Sequence, residues 1–346
     1  MKRGMSCNMN DIKKIRAGGG TDNYNYAISL LRLISTVLIV ACHCLQWFGS
    51  ELAWWFNVGV QIFLCISGYL YGKGRSQSVI QFYKHRIIKI LLPYYIVFLA
   101  FSLAIFVVNP AAFDYKLFLG GLLLRKTIQG GEHLWFIPYI LLCYLITPLL
   151  NSFRDEYIRN SKSWLIFTAM SIVIAFIILG LFDRFFNPAW ITCYILGYCL
   201  AINDDYISTR IIVLLFGFLA FIGNGIQVYL DYVIHHSFNG LWNTIYQYIK
   251  YYNHSTLGIF LFLLGLKVFE ASEMSPNWKV LLRFSDYYSY EIYLIHQFII
   301  LGPLSLMGVT PVIFLNIVMI MAIIMFLSLL LKKSEQMILN MKSCSH

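Results

Sequence analysis

The stretch Ile292–Leu331, IYLIHQFIILGPLSLMGVTPVIFLNIVMIMAIIMFLSLLL, runs for forty residues without Asp, Glu, Lys or Arg. A helix of a soluble domain needs a polar face toward water, and this run has none. About twenty apolar residues cross a bilayer as a helix, so forty hold two crossings. Gly302-Pro303 and Thr310-Pro311 supply the break between them. Further uncharged stretches occur at Leu33–Ser50, Leu52–Gly72, Ile90–Phe113, Leu134–Phe153 and Ser163–Phe182, then at Phe185–Asn203, Ile211–Leu230 and Tyr251–Leu266. With the first extended back to about Tyr26, across Arg32, the sequence predicts ten spans, of which Tyr251–Leu266 is the shortest. The run Asp114–Leu124 is too short to cross and is expected at the membrane interface.

Composition agrees. Of 346 residues, 59% are hydrophobic, 17% aromatic and 12% charged, against roughly 25% charged in soluble domains. A soluble enzyme, a disordered tail protein and a nucleic-acid binder are excluded, despite a formal charge of +10. No repeat of fixed period and no low-complexity tract is present. Topology accounts for the basic excess: with an inside N-terminus, 20 of the 26 Lys and Arg fall in inner segments and five in outer ones, with Arg32 inside a helix. The fold class expected is all-α, a polytopic membrane helix bundle of about ten transmembrane helices with both termini cytoplasmic. It divides into a basic tail (1–25), a membrane domain (26–331) and a short tail (332–346). Residues 1–25 are polar and the first apolar stretch is a full span, so no cleaved signal is expected.

Six of the eight cysteines lie in apolar stretches and Cys7 and Cys344 in the tails, so no disulfide framework is expected. Cys42-His43-Cys44 invites a metal reading, but helical neighbours point about 100° apart and cannot converge on one ion. No metal is expected.

Ionisable groups in hydrocarbon are expensive, and each is a functional candidate. Arg32 and His43 are eleven residues apart, which on a helix is three turns plus about 20°. They share one face, about 16 Å apart along the axis. The spacing suits a wet site with an anion held low and proton chemistry higher up; the bland alternative is a snorkelling Arg and a helix-bridging His. His296 is open to the same two readings. Glu132 and His133 follow Gly130-Gly131, where an acid can assist a base, hold a hydroxyl or cap the helix. Arg86 and Lys89, in the loop after the second span, share a face; they fit the phosphates of a nucleotide-bearing donor or serve as positive-inside anchors. Trp54-Trp55 and the run Trp242–Tyr252 match an interfacial aromatic belt, with stacking on sugar rings as a second use.

In this order along the chain the residues resemble the integral-membrane acyltransferase 3 family. Arg32 and His43 are similar to its first-helix Arg-x10-His signature. Gly59–Gly68 resembles G-V-x-x-F-F-x-x-S-G. Arg86 to Pro93 resembles the R-x-x-R-x-x-P element. Lys89 replaces its second Arg, keeping the charge without the planar fork. His133-Leu134-Trp135 with Pro148, Tyr194–Gly197, and Tyr290–His296 complete the set, over roughly residues 26–331. The resemblance covers no hydrolase-like domain of the kind some members carry, so transfer is expected to be completed within the membrane domain.

The resemblance implies an O-acyltransferase, foremost an O-acetyltransferase, of a bacterial plasma membrane. It would carry no permanently bound cofactor, take acyl-CoA (acetyl-CoA foremost) as co-substrate, and use a hydroxyl of a polysaccharide, lipid-linked glycan or glycolipid as acceptor. His43 is then the general base and Arg32 the donor-orienting cation, with Glu132 beside them. Arg86 and Lys89 hold donor phosphates, and His133, Trp135 and His296 line the acceptor path. The lipid bilayer is the surrounding partner, and nucleic acid is not one. The competing class is a transporter or flippase of lipid-linked glycans, which would move substrate without consuming an acyl donor.

Overall fold

The computed structural model describes residues 24–74, 78–180, 187–203 and 207–343. Most of the basic N-terminal tail, with Lys2, Arg3, Lys13, Lys14, Arg16 and Cys7, lies outside the described residues, as do Arg75, Arg184 and Cys344. So do Phe182 and Phe185, the expected ends of two spans. Among the described residues there is no strand. The α-helices are α1 (Tyr26–Trp47), α2 (Ala53–Phe56), α3 (Val58–Gly72), α4 (Val79–Val108), α5 (Tyr115–Leu122) and α6 (Phe136–Tyr157). They continue with α7 (Ser161–Gly180), α8 (Pro188–Ala201), α9 (Thr209–Val228), α10 (Gly240–Glu270), α11 (Pro276–Ile300) and α12 (Ile313–Ser343). A 3₁₀ turn, Glu132–Trp135, leads into α6, and a π turn, Tyr229–Val233, closes α9.

Seven segments are long and apolar enough to cross a membrane: α1, α2 with α3, α4, the 3₁₀ turn with α6, α9 with its π turn, α10 and α12. The other three expected spans correspond to α7, apolar over its described side chains as far as Ile177, to the 14-residue apolar α8, and to α11. The first half of α11 carries Lys279, Arg283 and Asp286, and Glu291 follows. Large apolar side chains such as Leu103, Phe221 and Phe314 are exposed, as hydrocarbon-facing positions require.

Three helices are longer than their apolar runs. The basic stretch Lys84–Lys89 is not a loop but lies in the first three turns of α4, because a helix need not end where hydrocarbon does. The shortest expected span, Tyr251–Leu266, is the middle of the 31-residue α10. The last helix continues past Leu331 to Ser343. Asp114–Leu124 holds the short α5, whose N-cap Asp114 accepts from Lys116 N at 2.7 Å and Leu117 N at 3.1 Å.

Close backbone approaches set the frame. A Cβ on Gly68 would lie 2.0 Å from Tyr194 O, and one on Gly197 would lie 2.2 Å from Cys65 O. α3 and α8 therefore touch backbone to backbone, the use that membrane helices make of small residues. The Gly59–Gly68 and Tyr194–Gly197 blocks thus meet in packing. At the end of α11, Gly302 has φ +79° and a Cβ there would lie 2.5 Å from Gly130 Cα. Gly130 itself has φ +77°. This contact presses the Glu132–Trp135 turn against α11. Beyond it, Asn316 Nδ2 donates to Met307 O at 2.7 Å and to Thr310 O at 2.8 Å, closing the connection between α11 and α12.

Candidate active site

Two polar clusters lie along α1, and both face α11. In the lower one, Arg32 donates through Nη1 to Asp286 Oδ1, with the side chains 18% and 22% exposed. A largely buried guanidinium requires such a partner. Tyr24 also donates to Asp286 Oδ2 at 3.1 Å. The pair borders a cavity of about 530 Å³ that is also lined by Tyr71, Arg86, Lys89, Tyr144 and Lys332. The Arg86 guanidinium lies 4.8 Å from the Tyr71 ring centre, a cation–π contact. Lys332 is paired with buried Glu291 at 2.5 Å, and Glu335 lies 3.5 Å away. Arg32 and Lys332 are thus already neutralised. Among the described residues Arg86 and Lys89 are in ion-pair contact with no carboxylate, which leaves two cavity cations for an incoming anion.

The upper cluster holds three histidines from three elements. The His43 ring centre is 5.0 Å from that of His296 and 6.3 Å from that of His133, and the latter two are 4.8 Å apart. α11 holds the turn that carries His133. Gln297 Oε1 accepts from His133 N at 2.9 Å, and Tyr293 Oη donates to His133 O.

Hydrogen-bond partners decide which nitrogen of each ring carries the proton. His43 Nδ1 donates to Gln46 Oε1 at 2.7 Å, His296 Nδ1 to Tyr293 O at 2.7 Å, and His133 Nε2 to Leu294 O at 3.1 Å. Each ring therefore keeps one basic nitrogen bare. Those of His133 and His296 are buried without a partner. His43 is only partly buried, so it is the ring of the three that a substrate can approach.

The remaining candidates separate. Both carboxylate oxygens of Glu132 are engaged, Oε1 by Gly130 N at 3.1 Å and Oε2 by Gln297 Nε2 at 2.7 Å. The acid braces its own turn. Trp135 turns away from the histidines and stacks on Trp190 at 4.1 Å. His43 does not line the cavity that Arg32 borders, so the two share a face and a partner helix without sharing one cavity. The wall at Phe63 connects to the histidines through ring contacts of Phe136 and Tyr293. Among the described residues no group of three or more His, Cys, Asp or Glu is placed to hold a metal, and Cys42, Cys44, Cys65, Cys143, Cys193 and Cys199 are free thiols.

Sequence reasoning missed Asp286, Lys332, Gln46 and Gln297. For Asp286 a signal existed: it precedes His296 by ten residues, as Arg32 precedes His43 by eleven. On parallel helices the two pairs fall level.

Fold and site together define a multi-span helical membrane protein with a cation-lined cavity at one end of its first helix and an imidazole cluster toward the other. Residues 25–333, nearly the whole chain, match the family model described as the acyltransferase domain of acyltransferase 3, and the chain belongs to that family of membrane acyltransferases. No curated protein and no solved structure gives a match.

Proposed function

We propose that the protein is a plasma-membrane O-acyltransferase of bacterial type. It takes an acyl group, foremost acetyl, from cytoplasmic acyl-CoA and passes it to a hydroxyl of a cell-surface polysaccharide, lipid-linked glycan or glycolipid. The observation that carries this reading is the placing of His43, the partly exposed ring of a three-histidine cluster. Its Nδ1–H is held by Gln46, so its bare Nε2 is set to accept a proton, and Arg32 lies three turns below on the same helix. In the reaction the acceptor oxygen attacks the thioester carbonyl, and His43 Nε2 takes the hydroxyl proton. A carbon–oxygen bond forms and the carbon–sulfur bond breaks. The proton returns from His43 to the departing thiolate.

Arg86 and Lys89 hold the donor's phosphates, and Arg32 orients the thioester arm. For the acyl group to meet His43, that arm passes the Phe63–Phe136 contact. Glu132 is a positioning residue, which with Gln297 fixes the turn bearing His133. His133 and His296 frame the acceptor hydroxyl. In this reading α7, α8 and α11 also cross, giving ten spans, and the basic end with both termini lies in the cytoplasm. The test is CoA release from acetyl-CoA by membranes containing the protein. Release that depends on an added glycan acceptor supports the proposal; acceptor movement across the membrane without CoA release overturns it.

A further inference from the structure

A second set of rings, beside the histidines, has no part in the chemistry above. Trp135 lies two residues after His133 on the same 3₁₀ turn, so their Cα atoms are about 5 Å apart. It stacks on Trp190 of α8 at 4.1 Å and 22°. Trp190 meets Tyr251 of α10 at 6.0 Å, and Tyr251 meets Trp54 of α2 at 5.7 Å. Trp54 stacks on His254 of α10 at 4.9 Å and 24°. Four elements remote in sequence thus contribute to one continuous file of rings, and Trp135, Trp190, Tyr251 and Trp54 are each half-buried.

The far end of the file carries unfinished hydrogen bonding. With the Gln61 amide turned to satisfy both its ends, its nitrogen donates to Asn57 O at 2.9 Å. Its oxygen then accepts from His254 Nδ1 at 3.1 Å and from Trp190 Nε1 at 3.2 Å. That fixes the proton of His254 on Nδ1 and leaves Nε2 as a bare acceptor on a ring only 1% exposed. His254 Nε2 is buried without a partner, and so is the Trp54 Nε1–H donor. Buried polar atoms are nearly always paired, so each exception calls for an account. Here an orphaned acceptor and an orphaned donor sit on two stacked rings.

We infer that this file of rings is the acceptor track: pyranose rings lie along its half-buried aromatic faces, and a sugar hydroxyl joins Trp54 Nε1 to His254 Nε2. A pyranose has an apolar C–H face for stacking, and its hydroxyls donate and accept at once. Aromatic walls with a few placed polar groups are the usual lining for such a ligand. The track rests on the proposed function, in which the acceptor is a glycan, and runs from the turn that bears His133. An interfacial belt needs neither rings from four elements in mutual contact nor an unpaired donor and acceptor beneath them.

The test uses the purified full chain in nanodiscs, titrated with gluco-, galacto- and N-acetylglucosamine hexasaccharides while tryptophan fluorescence is read. Acyl transfer is measured in parallel. Trp190→Leu removes the central stacking face, and Trp54→Phe keeps a ring but removes the N–H. CoA binding close to that of the parent protein marks a variant as folded. At least one hexasaccharide is expected to shift the parent's fluorescence. Trp190→Leu is expected to weaken that binding about tenfold and Trp54→Phe about fivefold. Where transfer is seen, the acceptor KM rises in step and kcat is largely kept. The inference is overturned if no hexasaccharide moves the fluorescence, or if both folded variants bind like the parent. Saccharide binding without any acyl transfer would keep the track and remove the enzymatic reading. Transfer to a glycan with a KM indifferent to both variants would do the reverse.

Discussion

Glu132→Gln separates a brace from an acid–base group. Each oxygen of the Glu132 carboxylate accepts one hydrogen bond, from Gly130 N at 3.1 Å and from Gln297 Nε2 at 2.7 Å. Glutamine keeps the length and one of the two acceptor oxygens. A hydrogen bond to a charged group contributes about 1.5–3 kcal/mol. Glu132 is exposed, so water takes over most of what is lost, leaving a cost of about 1 kcal/mol. The thermal midpoint should fall by about 2 °C. Because Tyr293 and the Gln297 side-chain oxygen still hold His133, kcat/KM for acceptor-dependent CoA release should stay within about fivefold of the parent. A group that moves a proton in the transition state contributes about 100-fold or more. A rate drop of that size with an unchanged midpoint would refute the positioning role and place the Glu132 carboxylate in the chemistry.

Gln46→Leu frees the His43 ring to take its other tautomer; kcat should fall about tenfold with donor KM unchanged, read by steady-state CoA release. Arg86→Ala and Lys89→Ala should each raise the KM for acetyl-CoA by about tenfold or more. Both should leave an acetyl-pantetheine donor, which lacks the nucleotide phosphates, unaffected. Lys332→Met strands Glu291, which is 1% exposed, at a cost of about 3–5 kcal/mol. Adding Glu291→Gln should recover most of that loss in a thermal-melt series, and no recovery would show that the pair is not the source.

Seven of the ten expected spans answer to helices long and apolar enough to cross, because bilayer crossing imposes a length and a composition, and both survive in a single sequence. Helix ends were not legible. Lys84–Lys89 and residues 332–343 carry too many charged and polar residues to lie in hydrocarbon, yet the helices run on there, since backbone hydrogen bonding continues in water. Of the site, Arg32, His43 and His296 announced themselves as polar groups where polar groups are expensive. Asp286 and Lys332 sat in stretches that read as ordinary flanking charge, and only the pairing of α11 with α1 and α12 gives them meaning. Gln46 and Gln297 are neutral amides with no periodic signature; their importance lies in which atom faces which ring. Trp54 and Trp190 were hidden differently. A belt and a binding track use the same residues, and ring-to-ring geometry is needed to tell them apart.

The account depends above all on the bare Nε2 of His43. Its most direct test is transfer of labelled acetyl from acetyl-CoA to glycan by membranes carrying His43→Ala, compared with the parent at equal protein and equal CoA binding. Loss of the general base predicts a fall of about 100-fold or more; transfer at the parent's rate would contradict the account.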